Sequence, residues 1–253
     1  MADISDKALD SIEKEIEATL AAINAKIARL IGKLETTKGD VLAKMELSRM
    51  RATRKAIIKE FMAFDTVANE STKFNQIGKA IKSRIKPVSL SFTQSDNALL
   101  KLLSDSAYGE LSGITSQYSE RVSMAVIRGS IVGANVDDIT LEVTQLVEGG
   151  TDLAGRSMAS HAKTLVNTQY MEVDAAMTIR AADNIGATHF RYSGSLIKDS
   201  REWCQDHVDK IYTRKEIEGW GSSSWAGKKE GDPFITRGGY NCRHYFVPVI
   251  VDG

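Results

Sequence analysis

Apolar residues recur at steps of three and four from the start of the chain: Leu9, Ile12, Ile16, Leu20, Ile23, Ile27, Leu30 and Leu34. That spacing is the seam of a helix that pairs with another helix, with polar residues filling the positions between. The run stops at "TTKGD" (Thr36 to Asp40), where Gly39 is a turn residue and Asp40 an N-cap. A second helix is predicted to follow, carrying Val41, Met45, Ile57, Phe61 and Phe64. A third, shorter one carries Phe74, Ile77, Ile81 and Ile85 and stops at Pro87, which cannot continue it. Residues 1–87 therefore read as a helical hairpin or small bundle, and 88–95 as a linker.

Further helices are expected from Asp96 or Asn97 to Ala107 and from Glu110 to about Val132. Gly133 is placed to end the second, and Asn135 or Asp137 to cap the next. After "EGGTD" a long helix is predicted from near Thr151 to about Asp183, striped by Leu153, Met158, Ala162, Leu165, Gln169, Val173, Met177 and Arg180. Past "NIGATH" the segments shorten. "HFRYSGS" and "VDKIYT" read as strands, "KDSREWCQDH" as a loop entering one or two helical turns, and "GGYNCRHYFVPV" as a terminal strand. Thr213 stands three residues before Glu216, the spacing of a capping box. "GWGSSSWAGKKEGDPFITRGG" has no period, and a stretch that long reads as a lid, a binding arm or disorder. The expected class is mostly α, with long helices and a short irregular sheet. A second domain is expected over 96–253, with a helical body to about 186 and a small α+β tip over 187–253.

Composition adds bounds. The 253 residues carry no net charge and are 42% hydrophobic and 26% charged, the profile of a globular chain with no overall pull towards nucleic acid or membrane. No apolar run approaches the roughly 20 residues a membrane span needs. The opening "MADISDKALD" is acidic, so no secretory signal is expected. Charge is polarised locally instead. Residues 1–20 hold six acids against two lysines, and residues 44–86 hold eleven bases against four acids. Arg49, Arg51, Arg54, Lys55 and Lys59 in this basic stretch would suit packaged double-stranded DNA; a solvated face, or complementarity between antiparallel helices of one hairpin, is the simpler reading.

The chemistry gathers near the C-terminus. Cys204 and His207 are spaced for one face of a helical turn, and Cys242 and His244 for one face of a strand. Four such N and S donors would close a tetrahedral structural zinc site. The same residues also allow a Cys204–Cys242 disulfide, two buried thiols, or a Cys/His nucleophile oriented by Asp199 or Asp206. Asp199, Arg201 and Arg243 suit locking of irregular chain, since a guanidinium offers five fixed donors. Trp203, Trp220 and Trp225 read as core and loop anchors. His161 and His189 read as surface or helix-face residues.

"DSREWC" (Asp199 to Cys204) resembles a D-x-R-x-x-C element, and "NCRH" (Asn241 to His244) an H-x-N-C-R-C element, of the phage Mu F-like head morphogenesis family, or minor head proteins. The helical lead-in "AVIRGSIVGANVDDITLEVTQL…RSMASHAKTLVNTQYMEVDAAMTIRA" is similar too, so the resemblance spans roughly residues 110–248. Asp199, Arg201 and Cys204 match the first element, with Trp203 between them; Asn241, Cys242 and Arg243 match the second. The family's upstream histidine is absent here, and His244 replaces its last cysteine. The resemblance implies a non-enzymatic minor capsid protein of the virion, inside the head near the portal vertex. It implies the portal protein as partner, with major capsid or scaffold protein and packaged DNA as further contacts, and no membrane. A metal-dependent nuclease or peptidase using the Cys/His clusters is the alternative, and a free cytoplasmic adaptor a third.

Overall fold

The computed structural model describes residues 4–68, 94–149, 157–240 and 242–250. It is 66% helical with a small three-stranded antiparallel sheet near the C-terminus, so the chain has the expected mostly α class with a small α+β part. In chain order the elements are α1 (Ile4–Ile31), β1 (Thr36–Thr37), β2 (Val41–Leu42), α2 (Leu47–Ala68), α3 (Gln94–Val132), α4 (Val136–Val147) and α5 (Met158–Ile185). There follow β3 (His189–Ser193), α6 (Glu202–His207), β4 (Ile211–Thr213), α7 (Arg214–Gly219), a 3-10 turn (Trp220–Ser222), α8 (Pro233–Thr236) and β5 (Tyr245–Val249). The predicted helix Phe74–Ile85, most of the 88–95 linker and the start at Thr151–Leu153 lie outside the described residues.

The chain forms two compact units, each built from separate segments. One takes Ile12–Glu70 and Asp105–Leu165; the other takes Met1–Ser11, Ser71–Ser104 and Val166–Gly253. This division departs from the expected boundary at 87, because the α1 seam closes on later helices of its own unit. Ile12, Ile16, Leu20, Ile23 and Ile27 are buried, and Ile31, not Leu30, completes the stripe; Leu34 lies past the helix end. Buried Asn24 interrupts the stripe and donates to Thr144 Oγ1 (3.1 Å) and Glu148 Oε1 (2.7 Å), which ties α1 to α4.

Asp40 is not a helix cap. It sits with Gly39 at positive φ in the turn between β1 and β2, and α2 begins only at Leu47. The reason is tertiary. Leu42 N–H donates to Ala134 O (2.9 Å) and Val136 N–H to Asp40 O (3.0 Å), so the hairpin is hydrogen-bonded onto the corner between α3 and α4. That corner is as expected: Gly133 has φ +70, and Asn135 caps α4 by accepting from Asp137 N–H. The predicted pair of helices over 96–132 is one continuous α3, since a single exposed glycine at 109 costs only about 1 kcal/mol.

In the other unit the sheet order is β4-β3-β5, with Phe190 opposite Tyr212 and Pro248, and Tyr192 opposite Phe246. Alternation buries Phe190 and Tyr192 and turns Arg191 outward. Phe190 meets Phe234 and Phe246 edge-on, and Tyr192 meets Trp203 and Trp220 in the same way. Aromatic rings thus supply most of the large buried hydrophobic side chains of the tip, while Leu196, Ile197, Ile211 and Ile250 are exposed. The Thr213–Glu216 capping box starts α7 as predicted. The aperiodic stretch after Trp220 is folded, not a lid or free arm: Lys228 Nζ donates to the carbonyls of Trp220, Gly221 and Ser223, and Trp225 Nε1 to Gly238 O (3.1 Å).

Candidate functional site

β5 begins at Tyr245, so Cys242 and His244 precede the strand instead of lying in it. The turn before it still delivers both side chains inward. Cys242 Sγ lies 3.5 Å from His244 Nδ1, and the Tyr192 hydroxyl lies 3.3 Å from Cys242 Sγ and 3.7 Å from Cys204 Sγ. Cys204 arrives from α6. The donor atoms of Cys204, Cys242 and His244 all fall within 4.8 Å of one another, and these residues are 2%, 2% and 5% exposed. The two thiols are free. A Cys204–Cys242 disulfide is therefore absent from this structure, though the pair is adjacent.

Arg237 holds the cluster from behind. It is fully buried, pairs with equally buried Asp174 of α5, and donates to Met171 O (3.2 Å), Phe234 O (3.2 Å) and His244 O (2.6 Å). The bond to the His244 carbonyl fixes the backbone that carries the imidazole. Gly238 follows, and here only glycine fits. A Cβ would overlap Cys204 Sγ and stand 3.1 Å from both Cys242 Sγ and the Tyr192 oxygen. Gly194 serves likewise opposite His244, at φ +141 with His244 Cα and Cδ2 2.9 Å from where a Cβ would stand.

Electrostatics follow from this packing. The Cys204 thiol is pushed up by donating its hydrogen bond to Cys242 and by burial. That same bond pulls Cys242 down, with help from His244 and Tyr192 against burial. The Tyr192 hydroxyl is raised well above its usual value, first by burial and then by the neighbouring sulfurs. Burial also works against the charge of Arg237. The hydrogen bond between the two sulfurs thus favours the proton on Cys204 over Cys242.

The other predicted residues divide. His207 is not in the cluster. Its Nδ1–H donates to the Trp203 carbonyl (2.6 Å) and its ring stacks on Trp203 at 3.9 Å, so the expected fourth zinc ligand lies outside the group of converging donors. Trp203 in turn stacks on Trp225 at 4.4 Å, an anchoring role as expected. Arg201 donates to the Tyr240 carbonyl (2.5 Å), bracing the chain just before the second element. Asp199 is exposed, and Asn241 lies outside the described residues. Arg243 points outward to Asp10 (2.7 Å) and does not lock the interior. His161 is half-buried against Tyr118, with its Nδ1 3.3 Å from the phenol oxygen.

Of the basic residues on α2, Arg49 pairs with Glu35 and Arg54 with Glu120, while Arg51, Lys55 and Lys59 are exposed one turn apart. Tyr192, Arg237, Asp174 and Gly238 were not foreseen. A carboxylate at Asp174 among Met171, Val173 and Ala175 was the available signal, since a charge on an apolar helix face requires a buried partner.

A cavity of about 240 Å³ opens beside the cluster, lined by Cys204, Cys242, His244, Arg201, Arg243 and Asp199 among others. His244 Nε2 is buried with no hydrogen-bond partner. No family model, curated protein or solved structure matches the chain.

Proposed function

We propose that this chain is a minor head protein of a bacteriophage, alike in role to the Mu F-like head morphogenesis proteins. It is assembled in the host cytoplasm and sits inside the head near the portal vertex. The portal protein is its principal partner, with major capsid or scaffold protein and packaged duplex DNA as further contacts, and its part in packaging or ejection is architectural. One observation carries the reading: the two elements on which the resemblance rests close on each other. Cys204 of "DSREWC" and Cys242 of "NCRH" share the Tyr192 hydroxyl, and Arg201 of the first grips the carbonyl of Tyr240 just ahead of the second. A motif pair whose members meet in space is what a shared structural unit would give, and this supports the reading.

Mass spectrometry of purified particles tests this. The chain should be present in few copies per particle and should co-purify with the portal protein from procapsids. Its absence from both would end the reading.

The second reading, a metal-dependent hydrolase, draws on the cavity beside Cys204, Cys242 and His244. It requires cleavage of DNA or peptide that chelation abolishes without unfolding the protein.

A further inference from the structure

We infer that Cys204, Cys242 and His244 bind one zinc ion as a three-ligand centre whose fourth position faces the cavity, open to water or a small anion. This differs from the closed four-ligand site suggested by the spacing, because His207 is not among the converging donors and its ring is stacked on Trp203.

Geometry is the first support. Zinc bonds sulfur at about 2.3 Å and imidazole nitrogen at about 2.0–2.1 Å, which at a tetrahedral angle sets these donors roughly 3.6 Å apart. Cys242 Sγ and His244 Nδ1 stand 3.5 Å apart, and Cys204 Sγ completes a triangle with all sides within 4.8 Å. The donor set is the second. Two thiolates and an imidazole are borderline-soft ligands, which favour zinc over magnesium or calcium. The third is the surrounding shell. Arg237 fixes His244 through its carbonyl, and the Tyr192 O–H is placed to donate to a ligating sulfur, the outer support that metal ligands need.

Three protein ligands leave a tetrahedral ion one position short. The three ligand residues themselves line the cavity, whose remaining wall includes Arg201, Arg243, Asp10, Asp199, Ser195 and Ser200. The two guanidiniums there are matched by these two carboxylates, and Arg243 already pairs with Asp10, so the wall accepts water or a small anion in the fourth position. The centre is a property of the tip's fold, whatever particle the chain joins, so its failure would leave the virion reading to its own test.

Elemental analysis of the full chain purified without chelator should find one zinc per molecule. Alkylation of unmodified protein by iodoacetamide should spare both thiols until a chelator is added. Cys204→Ser, Cys242→Ser and His244→Gln should each lose the metal, while His207→Gln keeps it. Cobalt(II) in place of zinc should show thiolate charge-transfer absorption and tetrahedral ligand-field bands, and these should shift on adding azide. Metal-free protein after saturation with zinc, or an intact mass showing a Cys204–Cys242 disulfide, would overturn the centre. Metal loss in the folded His207→Gln variant would restore the four-ligand site, and a cobalt spectrum indifferent to azide would overturn the open position.

Discussion

Arg237 and Asp174 form an ion pair with both side chains at 0% exposure, joining the turn before the Cys242 loop to the centre of α5. A buried pair of this kind is weak support for stability by itself, because desolvating both charges offsets their attraction. Its effect lies in placement. Arg237 spends its other donors on the carbonyls of Met171, Phe234 and His244, so one side chain sets three separate backbone segments.

Arg237→Met should therefore destabilise the protein by about 3–5 kcal/mol, since it leaves Asp174 buried and uncompensated. Asp174→Asn should cost less, about 1–3 kcal/mol, because the amide oxygen still accepts from Nη2. Urea unfolding followed by tryptophan fluorescence reads both, as the three tryptophans sit in the same unit. A loss under 1 kcal/mol for Arg237→Met would show that the pair does not hold the tip together.

Two glycine substitutions should move in opposite directions. Gly238→Ala places a methyl against Cys204 Sγ, with Cys242 Sγ and Tyr192 closing the other sides, so the loop must shift. Overpacking of this sort costs roughly 1–3 kcal/mol and should also raise thiol reactivity. Gly113→Ala lies in the interior of α3 with nothing within 4 Å of the new methyl, and should gain about 0.5–1 kcal/mol. Thermal melts of the two variants beside wild type settle the comparison; equal shifts would contradict it.

The capping box makes α7 sensitive to acid. Glu216 accepts from the Thr213 N–H (2.6 Å) and hydroxyl (2.8 Å), which pulls its carboxyl below the ordinary value. A carboxylate depressed in the folded state contributes stability above its unfolded value, and that contribution is lost as pH falls through the folded one. A carbon-detected NMR titration should find the Glu216 midpoint below that of an exposed glutamate, and Thr213→Ala should move it upward. A midpoint unchanged by Thr213→Ala would show that the cap hydroxyl has no part in the shift.

Local signals in the sequence survived folding where the physics was local. The α1 stripe from Ile12 to Ile27, the Gly133–Asn135 corner and the Thr213–Glu216 box depend on residues within a turn or two, and all are present. Long-range bonds decided the rest. Asp40 lost its capping role because Ala134 and Val136 claim the neighbouring backbone, far along the chain. At the site, cysteine spacing foretold Cys204, Cys242 and His244, yet His207 sits at an equally good spacing and lies outside the converging donors, stacked on Trp203. Arg237 was invisible because nothing near it in sequence reveals that Asp174 of α5 is its partner. Arg243, next to the motif cysteine, was the more conspicuous arginine, and it faces Asp10.

The basic run on α2 permits a quantitative test of the DNA contact. Each phosphate neutralised releases condensed counterions, giving a slope of about −0.9 in log K against log salt. Five bases acting together would give a slope of about −4.5. Arg49 and Arg54 already hold Glu35 and Glu120, however, and releasing them to phosphate would expose those carboxylates to the duplex. Arg51, Lys55 and Lys59 remain, spaced by four residues along one exposed face of the helix, a row that can follow a phosphate backbone. Binding of duplex DNA, measured by fluorescence anisotropy across a salt series, should therefore show a slope of about −3. Lys55→Gln should lower it by about one unit, and Arg54→Gln should leave it nearly unchanged. A slope near −4.5 would mean that the ion pairs open on contact, and binding insensitive to salt would remove α2 from the DNA interface.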